Sequence, residues 1–326
     1  MREYYFANVK VNMEDQIKVP DDWQKFQGEQ PWETEIFLRS SKETPRIPEK
    51  DVKAFGGIFA AEREGRILFA ERQGKIGLSK KLQEAGAILA AAKESEVAKE
   101  PETAKESETM KGSEMTKLQR KAEENQTEKP VFLARLSSGD EYRDNLLYGG
   151  KDQPADIRYV HNVIEALLPF HGGSIVHASC VKVRDQALLF CGPSGMGKST
   201  QARLWETYRG TYMLSSDAPA VLLTPTGARA YGMPWDGSDH IITQESAPVA
   251  AVIRLRQGPE NEIRPMDSSE AYQTLLAQGH LPMWDQEAML LEMTVLKKLA
   301  SAIPFYELSC RPDSGAVELA EQTVFG

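Results

Sequence analysis

Alternation and helical spacing divide the chain into short segments of recognisable kind. Residues 2–11 (REYYFANVKV) set aromatic and aliphatic positions against polar ones, the pattern of a half-buried strand. Residues 33–38 (ETEIFL) repeat it, and residues 55–71 read as two strands meeting in a hairpin turn at Glu64-Gly65. Residues 131–136 (VFLARL) predict another strand. Residues 156–170 place Val160, Val163, Ile164, Leu167 and Leu168 at helical spacing. Then SIVHASCVKV (174–183) and QALLFC (186–191) read as two strands joined by a turn at Arg184-Asp185.

The later half continues in the same manner. Residues 198–208 (KSTQARLWETY) have helical spacing without Gly or Pro, and residues 211–224 read as strand, acidic turn, strand. A turn at 225–229 leads to a Gly/Pro-punctuated loop at 230–237, and residues 248–257 (PVAAVIRLRQ) form a strand. Asp267 and Glu270 have capping-box spacing ahead of a helix at 271–278. Residues 284–303 make a long amphipathic helix whose Met289 and Met293 are read as core packing. A strand at 303–311 and a terminal helix at 314–325 close the chain.

One stretch breaks the pattern. Residues 92–130 are rich in Glu, Lys, Ser and Thr, contain AKESE twice, and have almost no large apolar residues. Such a stretch cannot bury enough apolar area to offset its ordering entropy, so it predicts a disordered linker or a frayed, solvated helix. It separates a β-rich N-terminal region (1–91) from an α/β region with a mixed sheet (131–326).

Composition narrows the function classes. Of 326 residues, 41% are hydrophobic and 27% charged, and the net charge is −9, which argues against nucleic acid or an anionic membrane surface as the main partner. Cys180, Cys191 and Cys310 lack metal-type spacing and read as free thiols in a reducing compartment. The start lacks a basic head and apolar core, and no run is long enough to span a bilayer, so the expected location is cytoplasmic. The five histidines include no H-E-x-x-H, and His161 and His171 read as satisfied surface or core residues, so no structural metal is expected.

The chemistry begins at residues 192–200, GPSGMGKST. Gly192, Gly197, Lys198 and Ser199 occupy the fixed positions of G-x-x-x-x-G-K-[ST], between an apolar strand and a helix. Glycines let successive N–H groups turn toward one point, and the helix N-terminus adds about half a positive charge there. The expected nucleotide-binding set is Gly192, Ser194, Gly195, Gly197, Lys198, Ser199 and Thr200, with Lys198 reaching the β/γ-phosphates and Ser199 ligating Mg²⁺. Arg254 and Arg256 share one strand face, where a phosphate clamp competes with a solvated face. Asp236 and His240 are candidates for an acceptor pocket, and Trp235 either stacks on a ligand or plugs the core.

The run VHASCVKV…LLFCGPSGMGKST…LSSDAPAV…YGMPWDG resembles the kinase domain of the HPr kinase/phosphorylase group, which shares the phosphoenolpyruvate-carboxykinase-type fold. It is more closely similar to relatives found beside peptide-tailoring genes, the SynChlorMet cassette and lasso-peptide kinases. The match covers about residues 150–326, with only loose likeness before that. His177 falls on the histidine of the strand before the loop strand, and Asp217 on the acidic turn after the next strand. Where that group has two adjacent aspartates, this chain has Ser216-Asp217, so the resemblance implies the kinase direction more than the phosphorylase one. It implies Asp217 as base or Mg²⁺ ligand, His177 as its neighbour at the γ-phosphate, and Lys198 as charge compensator. The expectation is an ATP- and Mg²⁺-dependent kinase acting on a Ser/Thr-type hydroxyl of a small protein or ribosomal peptide. A small-molecule kinase of the same fold and a nucleotide-binding regulatory module stand as alternatives. Homo-oligomerisation is left open.

Overall fold

The computed structural model describes residues 1–15, 17–28, 30–41, 53–55, 58–63, 66–71, 131–136, 144–148, 158–235 and 239–326. The 92–130 segment, the Glu64-Gly65 turn and Asp236 lie outside the described residues. Among the described residues the chain is a mixed α/β structure with two mixed sheets.

The first sheet has eight strands: β1 (Arg2–Phe6), β2 (Val9–Met13), β3 (Thr34–Ser41), β4 (Lys53–Phe55), β5 (Ile58–Arg63), β6 (Arg66–Glu71), β7 (Val131–Leu136) and β8 (Asp144–Tyr148). Their spatial order is β1-β2-β3-β8-β7-β6-β5-β4, with β2–β3 and β3–β8 parallel. The sheet therefore draws strands from both sides of residues 92–130. Strands β6 and β7 are antiparallel neighbours, and Glu71 pairs with Val131 across the intervening residues.

The first strand differs from its expectation. Residues 2–11 span a hairpin whose turn is Ala7-Asn8, both at positive φ (49° and 62°). That conformation matches the right-handed twist of the flanking strands but is unusual without Gly, so alternation ran through it unbroken. Tyr4, Tyr5 and Phe6 are all buried, as are Val9, Val11 and Met13. Tyr4 and Phe6 meet Trp23 edge-on at 5.3 and 5.9 Å, and Phe6 reaches Trp235 at 6.0 Å. Here the N-terminal hairpin joins the core beneath α1 (Arg158–Leu167).

The second sheet has nine strands: β9 (Gly173–Ile175), β10 (Ala178–Val183), β11 (Gln186–Cys191), β12 (Tyr212–Ser215), β13 (Ala220–Thr224), β14 (Gly227–Tyr231), β15 (Ser246–Gln257), β16 (Glu262–Pro265) and β17 (Phe305–Cys310). Residues 174–183 are therefore two strands. β9 pairs with β13, whereas β10 pairs with β11 and β12, so the chain changes neighbours between Ile175 and Ala178. The return path does the same between β12 and β13. Strands β11, β15 and β17 run parallel in the middle.

Four helices cover this sheet: α2 (Lys198–Arg209), α3 (Ser268–Gln278), α4 (Gln286–Ala302) and α5 (Ser314–Phe325). The capping box of α3 is formed: the Asp267 carboxylate accepts from the Ser269 and Glu270 N–H groups, and Glu270 accepts from the Asp267 N–H. Trp205 of α2 is fully buried against Phe190 of β11 and Phe325 of α5. Among the described residues no helix is long and apolar enough to cross a membrane.

Candidate functional site

The buried strand β11 delivers the chain into the glycine loop. Gly192, Gly195 and Gly197 all have positive φ (148°, 79° and 99°), and Gly197 is the residue before α2. A Cβ at Gly192 would crowd the Leu255 carbonyl oxygen at 3.3 Å, while at Gly195 and Gly197 a Cβ would meet nothing within 4 Å. All three positions need glycine's backbone freedom, and Gly192 is held by packing as well.

Lys198 opens α2 and is only 8% exposed. Its Nζ donates to the Gly192 carbonyl at 3.0 Å, so the side chain folds back over its own loop. Burial pulls its pKa below the ordinary lysine value. Ser199 is half-buried, and Ser194 and Thr200 are exposed on the rim. Beside the loop, at the carboxyl ends of β11, β15 and β17, a cleft of about 340 Å³ is lined by Met196, Gln201, Leu255, Gln257 and Pro312 among others. Gln257 donates to the Gly195 carbonyl at 3.3 Å across its mouth.

His177 and Asp217 come together where the two strand pairs change neighbours. Asp217 lies between β12 and β13, and His177 between β9 and β10. His177 Nδ1 is 3.0 Å from Asp217 Oδ1. Backbone bonds fix both: Ala178 N–H donates to the Asp217 carbonyl at 2.8 Å, Val176 N–H to Pro219 at 3.1 Å, and His177 N–H to Gln278 at 2.7 Å. The Ser179 hydroxyl donates to the Ser216 carbonyl at 2.8 Å, and Trp235 Nε1–H to the Ala218 carbonyl at 3.1 Å. The acidic turn is thereby tied down on both sides.

The electrostatics follow from this arrangement. The hydrogen bond from His177 holds the Asp217 carboxyl below the usual aspartate range against the opposing cost of burial, and the Lys198 ammonium adds to the lowering. Asp217 remains 40% exposed, so the ionised carboxylate faces solvent on one side. Ala178, whose N–H bonds to the Asp217 carbonyl, pairs across to Cys191, the residue before the glycine loop, so loop and acidic turn lie side by side.

Other sequence candidates part company with it. Arg254 is held by Glu307 at 2.5 Å and by the Thr274 hydroxyl at 3.1 Å, so its guanidinium is already engaged by protein groups. Arg256 is exposed. Trp235 packs against Phe6 and His161, at 6.0 and 4.6 Å between ring centroids, and pins the acidic turn. His240 sits at positive φ (53°) beside Asp239, which pairs with Arg203 of α2. Met289 and Met293 are half-buried on α4. Sequence reasoning missed the polar group beneath the pair: His161 and Glu165 on α1, His280 after α3, and Glu292 on α4. The spacing of His161 and Glu165, four apart on one helix face, was the available signal.

No protein-family model matches the chain, and no curated protein sequence matches it. Among solved structures, the HPr(Ser) kinase/phosphatase from Coxiella burnetii is similar at a TM-score of 0.26 and 13% identity, over 46% of this chain and 87% of that one.

Proposed function

We propose that the protein is an ATP-dependent kinase that phosphorylates a Ser/Thr-type hydroxyl on a small protein or peptide. The observation that carries this reading is the hydrogen-bonded His177–Asp217 pair set beside the glycine loop, through Ala178, which bonds to Asp217 and pairs with Cys191 ahead of Gly192. Open space beside Gly195 and Gly197, the N-terminus of α2 and the Lys198 ammonium suit a triphosphate. The adjoining cleft has the volume of a small-molecule site and lies where ligands bind in parallel α/β sheets, at the strand carboxyl ends, so it suits the nucleoside.

The Ser199 hydroxyl oxygen fits a hard cation, and Ser199 is the residue that would hold Mg²⁺ beside the phosphates, which leaves Asp217 as the base. When bound, Mg²⁺ neutralises charge on the β- and γ-phosphate oxygens. Lys198 leaves the Gly192 carbonyl for the phosphate and compensates charge as the bond to the leaving nucleoside diphosphate breaks. The acceptor hydroxyl oxygen forms the new bond to phosphorus, and its proton passes to Asp217. His177 keeps that carboxylate oriented. A carboxyl with a lowered pKa is a weak base, which suits a loose transition state where proton transfer lags bond cleavage.

The test is transfer from γ-labelled ATP with Mg²⁺ to Ser- or Thr-containing peptides and small proteins encoded beside the gene. Wild type transfers label. Lys198→Ala loses orders of magnitude in turnover while its thermal unfolding is little changed, because the lysine serves ligand and not core. Near wild-type transfer by Lys198→Ala, or no ATP binding by wild type, overturns the proposal. A second reading, a nucleotide-binding regulatory module with little turnover, draws on Ser216, which gives the acidic turn a single carboxylate. ATP affinity without consumption, unchanged by Asp217→Asn, would favour it.

A further inference from the structure

Beneath the His177–Asp217 pair lies a compact group of ionisable side chains that phosphoryl transfer does not use. One ligand-type atom from each of His161, Glu165 and His280 lies within 4.8 Å of the others. Glu165 is 8% and His280 7% exposed, and the His161 side chain 18%. They come from two places in the chain: one face of α1, and the residue after Gly279, whose N–H bonds to the Ile175 carbonyl at 2.9 Å.

These groups face one another without satisfying one another. His161 Nδ1 is 3.6 Å from Glu165 Oε2, too long for a hydrogen bond. The two imidazoles stand 5.1 Å apart at 49°, neither stacked nor edge-on. Among the described residues no hydrogen bond reaches a ring nitrogen of either histidine. Behind them sits Glu292, fully buried, which accepts a hydrogen bond from Ser174 at 2.5 Å on one oxygen and has no partner for the other. Glu165 and Glu292 repel each other, and among the described residues neither pairs with a lysine or arginine. Two buried carboxylates without a cation are costly unless protonated or matched by positive charge.

We infer that His161, Glu165 and His280 bind a divalent transition-metal ion of the zinc class, fastening α1 to the α3–α4 connection beneath the His177–Asp217 pair. Two imidazoles and one carboxylate are the donor set that favours such an ion over Mg²⁺ or Ca²⁺, which take oxygen ligands. Zinc-class ions are held through the lone pair of a neutral imidazole nitrogen, and His161 and His280 each offer one. A dication would supply the positive charge that the buried Glu165 carboxylate lacks among the described residues. Tetrahedral zinc with ligand bonds of about 2.0–2.2 Å needs donors about 3.3–3.5 Å apart, so the side chains close by about 1 Å on binding. The remaining position is left to water or to a neighbouring carboxylate.

The inference does not depend on kinase activity, and its test reads the metal directly. The untagged full chain, stripped with a chelator, is titrated with Co²⁺ and Zn²⁺ and followed by visible absorption and calorimetry. The expected result is one ion per chain, a Co²⁺ spectrum typical of nitrogen and oxygen ligands, and a rise in the thermal midpoint with Zn²⁺ that Mg²⁺ does not give. His280→Asn and Glu165→Gln each weaken binding by about 100-fold or more. His177→Asn and Cys310→Ser leave it unchanged. Because losing a buried histidine can disturb folding, Glu165→Gln, which keeps shape and volume, is decisive when circular dichroism shows His280→Asn unfolded. Substoichiometric binding by wild type, or affinity unaltered in a folded Glu165→Gln chain, overturns the inference. So does loss of binding in His177→Asn, which would place the ion on the upper pair.

Discussion

His177 and Asp217 owe their meeting to backbone, not to side-chain choice. Each is flanked by N–H and carbonyl groups bonded across to the other's segment, so replacing either side chain leaves the scaffold standing. His177→Asn should therefore fold with a melting temperature near wild type but lose transfer activity by about 10²-fold or more, since the Asp217 carboxylate loses its chief hydrogen bond and orientation. Circular dichroism and the labelled-ATP assay check the two halves of that statement separately. The same scale shows where sequence stops short. The residue types in the glycine loop stood out by spacing, whereas Asp217 stood out only through the family resemblance. For Arg254 the sequence left a phosphate clamp and a solvated strand face both open, because Glu307 and Thr274, which engage it, arrive from elements far along the chain. His161 looked solitary for the same reason, since His280 joins it only through the fold.

Helices and strands were legible in proportion to how local their determinants are. The cap of α3 is a contact between residues three apart, and it appears as the spacing said. Glu270 also pairs with Arg264 at 2.8 Å, and that hydrogen bond, followed by the Asp267 N–H, lowers its carboxyl pKa to about 2. The folded value lies below the ordinary one of 4.5, so the stabilisation is present above pH 4.5 and is lost as pH falls through about 2. Glu270→Gln should lower the urea midpoint at pH 6. The gap to wild type should narrow below pH 4.5 and close near pH 2. An equal gap at both ends would mean that shape and not charge is responsible. Strand limits were harder. Residues 174–183 alternate without interruption, yet β9 and β10 serve different neighbours, and those neighbours are chosen by strands β11 to β13 further along. The break at Ala7-Asn8 was hidden because two non-glycine residues adopt positive φ.

Across the whole molecule, the first sheet supports the site from a distance. Phe6 touches Trp235, Trp235 touches His161 and holds the Ala218 carbonyl, and Ala218 adjoins Asp217. The rest of that sheet is closed by β7 and β8, which arrive only after residues 72–130. Because Glu71 and Val131 are paired neighbours, the two ends of that segment stand about 5 Å apart at their Cα atoms. Replacing residues 72–130 by an Asn-Gly turn should leave nucleotide affinity unchanged. It should raise the unfolding free energy by up to about 2–3 kcal/mol through shorter loop closure. A fall in the denaturant midpoint would show that the segment contributes contacts of its own. In engineering terms, the pairing of Glu71 with Val131 is a port. The sheet leaves off on one rung and resumes on the same rung, so a guest domain with neighbouring termini can be spliced there, and the distant phosphate loop has no mechanical reason to notice.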